Sequence, residues 1–264
     1  MATTERRDSV RAVERTIDIL QTFTFEQTEM SLAQLCAEVG LPKTTVFRIL
    51  STLEGRNFVV QDHQTGKYRL SYEAIKIGAI AQEGNTLGKI AREDMEEITR
   101  ATGQTCNIYI RDGFSRMCIA QVAGTQYIRR YSFLGARHPL HCGAGKLLLA
   151  YAGKAFQEEF FRSANLERYT ENTVTDPAQL KQELDEIVKV GYSITRGERD
   201  PNTAMASVPL FDYTQRAVAS ITLSGPIYFL TDENVGQYLE QLKQSSAKIS
   251  HKLGFRSSLA VLVD

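Results

Sequence analysis

Lys43, Thr44, Thr45 and Arg48 place two cations and two hydroxyls within about two helical turns. Hydroxyls and guanidinium forks bond phosphate oxygens and base edges, so a short helix presenting them can enter the major groove of DNA. For such a helix read in isolation, a solvated face is the commoner explanation. A second group is His138, His141 and Cys142, whose imidazoles and thiol suggest a metal site or a Cys–His nucleophile. Zinc calls for about four ligands, and Cys106, Cys118, His63 and His251 stand at no ligand spacing. A nucleophile needs a base and an orienting group in reach, which adjacency along the chain does not supply. Cys142 therefore reads as a buried thiol lining a pocket, and we expect neither metal nor cofactor. Arg129, Arg130, Arg137, Arg196 and Arg199 either attract an anionic ligand or sit on exposed strand edges. Glu198, after Gly197, either bonds a ligand or caps its loop. Paired catalytic carboxylates and a Gly-rich phosphate loop are both missing, so the pattern does not describe an enzyme.

The elements that must position these groups follow from periodicity. Val10, Val13, Ile17 and Leu20 recur at helical steps over residues 8–25, with Asp8 or Ser9 available as N-cap. Ser31 and Gln34 form a capping box for a second helix, whose apolar face is Leu32, Leu35, Cys36 and Val39 and whose stop is Gly40. Pro42 opens a third. With Lys43 set to zero, Val46, Ile49, Leu50 and Leu53 fall between about 240° and 340°, while Thr44, Arg48 and Ser51 lie opposite. Residues 58–60 and 67–70 are short β-type runs around 61–66, a hairpin with Gly66 at its turn and His63, Gln64 and Lys67 near its tip. Three helices and a hairpin make a winged helix-turn-helix. Residues 71–83 (SYEAIKIGAIAQE) read as a connecting helix whose apolar face can equally pack on a second subunit.

The 264 residues suit two domains. Lys plus Arg number 31 and Asp plus Glu 31, which excludes a polybasic nucleic-acid coat. No apolar run approaches the ~20 residues of a membrane helix, the start lacks the apolar stretch of a signal peptide, and four scattered cysteines form no CxxC pair. A cytoplasmic protein without membrane contact is expected.

Beyond residue 86 a helix ends at Gly103, and β-rich runs at 104–110, 117–122 and 126–133 suit an antiparallel meander. Helices are expected at 145–151, 156–161 and from a capping box at Asp176 and Gln179 to Gly191. Strands are expected at 192–196, 204–211 and 217–224, and a closing helix at 231–253, whose stripe Val235, Leu239, Leu242, Ile249 and Leu253 is core or dimer packing. The fold class is α+β.

Five segments carry a resemblance: residues 9–15 (SVRAVER) with Ile19 and Leu20, 41–50 (LPKTTVFRIL), 66–70 (GKYRL), 139–146 (PLHCGAGK) and 223–226 (LSGP). In this order and spacing they resemble the IclR-type transcriptional regulators over residues 9–254. The resemblance implies a winged helix-turn-helix at 1–70, a linker helix at 71–85, a GAF-like antiparallel sheet with helices at 86–255 that binds an effector and oligomerises, and a tail at 256–264. It implies a repressor or activator responsive to a small organic acid, working as a homodimer or a dimer of dimers on a double-stranded operator. By position, Lys43, Thr44, Thr45 and Arg48 would enter the major groove, with Arg11, Arg15 and Lys67 on phosphates. The effector site would comprise Asn107, Leu134, Cys142, Gly143, Ala144, Glu198, Met205, Thr222 and Ser224. There the N–H groups of 142–145 would receive a carboxylate. Two departures stand out: the run from Pro139 to Lys146 is one residue short, and members that bind small keto acids carry Asp and Cys where Thr195 and Met205 align. The exchange implies a less polar acid, aromatic ones included, with Met205 and Leu134 as apolar wall. An architectural DNA-binding oligomer without an effector is the alternative.

Overall fold

The structure, a computed structural model, describes residues 9–126 and 132–256. The chain divides into two compact units, Met1–Gly84 and Asn85–Asp264.

In the first unit, α1 (Arg11–Gln21) starts from Val10, whose side chain makes no cap, in place of the expected Asp8 or Ser9. Its buried residue is Ile19, with Leu20 partly covered, whereas Val10, Val13 and Ile17 are exposed. The capping box at Ser31 and Gln34 forms, opening α2 (Leu32–Val39), and Gly40 closes it at φ 64°. Pro42 is the N-cap of α3 (Lys43–Gly55), one position before the expected place, because its extended ψ of 142° keeps it outside the helix. Val46, Leu50 and Leu53 bury their side chains against Ile19 and Leu35, as the angular count predicts. The hairpin is β2 (Val59–Gln61) and β3 (Tyr68–Leu70), and a two-residue strand, β1 (Glu29–Met30), pairs with the outer side of β3. So short a strand leaves no alternation to read. The connecting helix is α4 (Tyr72–Glu83), which has no buried residue.

In the second unit, Asn85 caps α5 (Thr86–Thr102) by accepting from Gly88 N–H at 2.9 Å. There follow β4 (Thr105–Asp112), β5 (Ser115–Val122), β6 (Arg137–Pro139), α6 (Gly145–Ala150), α7 (Lys154–Ser163) and α8 (Pro177–Val190). Strands β7 (Ser193–Arg196), β8 (Thr203–Phe211) and β9 (Ala217–Pro226), then α9 (Val235–Lys252), complete it. The sheet is antiparallel in the order β6-β5-β4-β9-β8-β7. The run expected at 126–133 lies largely outside the described residues. Strand β6, which pairs with the start of β5, is not among the expected strands, because a Pro and two cationic or polar neighbours do not read as one. The capping box expected at α8 is half made: Asp176 accepts from Gln179 N–H, but the Gln179 side chain turns to Glu183.

Strand alternation sorts the sheet into two faces. Cys106, Ile108, Ala206, Val208, Ile221 and Leu223 pack with α5 and α9 in one core, which holds the predicted Leu239, Leu242 and Ile249. Tyr109, Cys118 and Met205 belong to the other, with α6 and α8.

Candidate functional site

Two sites emerge, one in each unit. On α3, the apolar face turned inward leaves Lys43, Thr44 and Arg48 exposed and Thr45 half-buried. Thr52 Oγ1 donates to the Arg48 carbonyl at 3.0 Å. The wing tip is held by its own backbone. Asp62 Oδ1 accepts from Gln64 N–H at 2.7 Å and Thr65 N–H at 3.3 Å, and these bonds lower the Asp62 carboxyl below its ordinary range. Gly66, at φ 69°, makes the turn that only a residue without Cβ takes readily. Lys67 next to it is exposed, as is Arg11, while Arg15 is half-buried. The expected DNA-facing residues are thus free of the first unit's core.

In the second unit, the sheet face turned toward α6 is polar although it is buried. Cross-strand partners Ser193, Ser207, Thr222, Asn107 and Gln121 form a row over five strands. The next row is Thr195, Met205, Ser224 and Thr105. Asn107 Nδ2 donates to Ser224 Oγ at 2.9 Å, Thr222 Oγ1 to Ser207 Oγ at 2.9 Å, and Gln121 Nε2 to Asn107 Oδ1 at 2.9 Å. Burying hydroxyls and amides costs free energy unless they are bonded, and here they bond one another. The Ser193 and Ser220 hydroxyls are buried without a partner.

Facing these rows is the segment from Pro139 to Lys146. Its tight return needs Gly145, whose added Cβ would lie 2.6 Å from Leu140 Cα and from the Pro139 carbonyl oxygen. Gly143 has φ 57°, and a Cβ there would meet Arg116 Nη2 at 3.2 Å and Met205 Sδ at 3.4 Å. The expected residues Cys142, Gly143, Met205 and Glu198 therefore converge. Ala144 is buried beside them, and Asn107, Thr222 and Ser224 lie on the facing strands. Leu134 does not join them: it stands in a turn, 44 % exposed, and forms no wall.

Of the N–H groups expected to receive an external carboxylate, that of Gly143 already holds an internal one. Glu198 Oε2 accepts from Gly143 N–H at 2.8 Å. Its other oxygen meets Lys146 Nζ, which also lies 2.6 Å from Glu183 Oε2 on α8. Thr170 and Thr173 donate to the Gly197 and Glu198 carbonyls and fix this loop. Helix α6 has six residues, and the N–H group just before it is taken by Glu198. Burial pushes the Glu198 carboxyl up, and Lys146 with the Gly143 N–H pulls the other way. Sequence reasoning misses Lys146 and Arg116 as interior groups, although they are 2 % and 1 % exposed. A cation reads as surface, and Lys146 is singled out in the sequence only as part of the 139–146 segment that carries the resemblance.

Burial raises the Cys142 thiol above its ordinary range, which leaves little nucleophilic thiolate. His141 Nε2 lies 2.9 Å from the Glu167 carbonyl oxygen, and burial lowers its proton affinity. Among the described residues no three His, Cys, Asp or Glu side chains gather as a metal site. Arg196 reaches Asp232 at 3.1 Å, and Arg137 reaches Asp112 at 2.6 Å, both at the surface, which fits the edge reading. Arg129 and Arg130 lie outside the described residues. No helix among the described residues is long and apolar enough to cross a membrane.

Residues 81–251 match the family described as bacterial transcriptional regulator IclR C-terminal, and residues 12–63 match the IclR helix-turn-helix domain. The chain is 28 % identical over 246 residues to the HTH-type transcriptional regulator KipR of Bacillus subtilis, covering 93 % of this chain and 98 % of KipR. These matches are to regulators, not to enzymes. An IclR transcriptional regulator from Alicyclobacillus acidocaldarius superposes with a TM-score of 0.82 at 26 % identity, over 92 % of this chain and 98 % of the other. An IclR homologue from Microbacterium hydrocarbonoxydans, solved with 4-hydroxybenzoate, has the same fold with a TM-score of 0.77 at 20 % identity, over 92 % and 99 %.

Proposed function

Because the chain belongs to the IclR family of DNA-binding transcriptional regulators, we propose that it is a cytoplasmic repressor or activator whose operator affinity is set by a small organic acid. The observation that carries the effector half is the buried polar sheet face opposite the 139–146 segment. A core built for stability alone would place apolar residues there, as the other face does. Asn107, Thr222 and Ser224 supply bonds to an acid, Cys142, Gly143 and Ala144 line it, and Met205 supplies apolar contact. Met205 in place of a smaller thiol favours an organic acid of lower polarity than pyruvate or glyoxylate, an aromatic one included. The related fold that holds 4-hydroxybenzoate supports that class.

On the DNA side, Lys43, Thr44, Thr45 and Arg48 enter the major groove, and Arg11, Arg15 and Lys67 meet phosphates. Two copies then read a pseudopalindromic site. The support for a dimer is the apolar surface left uncovered: Val10 at the start of α1, Val13 and Ile17 on it, and Tyr72, Ile75 and Ile80 on α4, are all exposed. Helix α4 joins the two units in sequence, so it is the element through which effector binding shifts the arrangement of the DNA readers.

Fluorescence anisotropy on the DNA upstream of the protein's own gene, with organic acids added singly, tests the reading. Coupling is typically about 1–3 kcal/mol, so at least one acid should change affinity by about fivefold or more. If no acid changes it by twofold, the chain is an architectural DNA-binding oligomer instead.

A further inference from the structure

Among the described residues Arg116 is the largest fully buried side chain, 1 % exposed, at the second position of β5. It lies on the sheet face that carries Cys118, and its guanidinium carbon stands 5.3 Å from the centre of the Tyr109 ring. Both of its hydrogen bonds leave through Nη1, to the Cys142 carbonyl at 2.6 Å and the Pro139 carbonyl at 3.1 Å. Nε is buried with no acceptor. No Asp or Glu among the described residues pairs with it, and Glu198 commits its two oxygens to Gly143 and Lys146. A buried cation without an anion is costly. The unused donors, Nε and Nη2, form the edge of the guanidinium that grips a carboxylate bidentately. A Cβ on Gly143 would stand 3.2 Å from Nη2, 3.4 Å from Nη1 and 3.4 Å from Met205 Sδ, so the missing side chain leaves that end of the guanidinium uncovered.

We propose that Arg116 is the anchor for the carboxylate of the effector, through its Nε–Nη2 edge, with Gly143 keeping that edge open. The inference rests on the effector reading above and corrects where in the site the acid group lies. The N–H group of Gly143 is held by Glu198, so the effector's charge is met by the sheet rather than by the start of α6. It also sets the ligand class: a carboxylic acid, whose neutral amide cannot use a bidentate cation.

Isothermal titration calorimetry of the full chain decides it, with benzoate, 4-hydroxybenzoate, phenylacetate and pyruvate, each against its neutral amide, on wild type, Arg116→Lys and Arg116→Met. The expected result is that at least one acid binds wild type ten-fold or more tightly than its amide. Arg116→Met should bring the acid-to-amide affinity ratio to about one, and Arg116→Lys should keep part of the preference, since charge without the fork remains. Acid and amide binding wild type equally, or Arg116→Met keeping the preference, overturns the anchor and leaves the effector reading standing. Neither acids nor amides binding overturns both. If Arg116→Met does not fold, the acid-to-amide ratio on wild type and its change in Arg116→Lys carry the decision.

Discussion

Replacing Lys146 by Met tests whether the ion cluster behind the 139–146 segment is a coupled unit. Lys146 is 2 % exposed, and it is the direct cationic partner of Glu198, itself 10 % exposed, and of the more open Glu183. Breaking a buried pair by removing one member leaves an uncompensated charge and costs about 3–5 kcal/mol. For a domain of this size that corresponds to roughly 6–20 °C in melting temperature. Removing both charges, as Lys146→Met with Glu198→Gln, should cost less than the sum of the singles by about 0.5–3 kcal/mol. The pH dependence gives an independent sign. Without Lys146, burial raises the Glu198 carboxyl unopposed by that cation. A carboxyl whose folded proton affinity exceeds the unfolded one stabilises below the unfolded pKa and loses that contribution as pH rises through the folded value. The single variant should therefore be closer to wild type near pH 5 than near pH 8. Differential scanning calorimetry of the full chain, with its transitions assigned by near-ultraviolet circular dichroism, reads both effects. A single-variant loss below about 1 kcal/mol, or a double variant that is additive, refutes the coupled buried cluster.

Three further outcomes are expected. Arg48→Ala should weaken operator binding by about 1–3 kcal/mol and relax sequence preference at one position, read by anisotropy; an equal loss on random DNA reassigns Arg48 to a phosphate. Leu50→Ala, at a fully buried position of α3, should destabilise the first unit by about 2–5 kcal/mol in thermal unfolding, and a smaller effect would show that the site collapses readily. His141 has a folded pKa held below the ordinary 6.5 by burial, so its share of stability is present above that value and lost as pH falls through the folded one. His141→Gln should flatten the acid limb of a melting-temperature profile, and an unchanged limb would place the titration elsewhere.

Local chemistry explains what could be read from the sequence. The Ser31–Gln34 box, the left-handed Gly40, the apolar face of α3 and the stop at Gly103 are decided within a few residues, so spacing reports them. Short sheet pairings do not report themselves: β1 is two residues and β6 three, and each exists because a longer neighbour offers backbone partners. The exposed stripe of α1 is legible as apolar, but periodicity does not say which apolar face meets its own core. In the second unit, Cys142, Gly143 and Met205, named by resemblance, lie close together, and Thr222 and Ser224 stand on the facing strands. Leu134 falls outside because the turn it occupies faces solvent. The buried charges are the least legible. Arg116 and Lys146 become interior only when strands and helices far apart in sequence enclose them, and no local pattern encodes that enclosure.

If this chain reads DNA by sequence and with two-fold symmetry, it should select its own operator. Repeated selection of bound duplexes from a random DNA library measures this directly, whatever the operator's sequence. The expected result is convergence on a pseudopalindrome with half-sites about one helical turn, or a multiple of it, apart. The affinity for that site should exceed the affinity for unselected DNA by about a thousandfold or more at physiological salt. A library that stays unconverged, with selected and unselected DNA bound alike and with the same salt dependence, would contradict sequence-specific reading by a symmetric dimer.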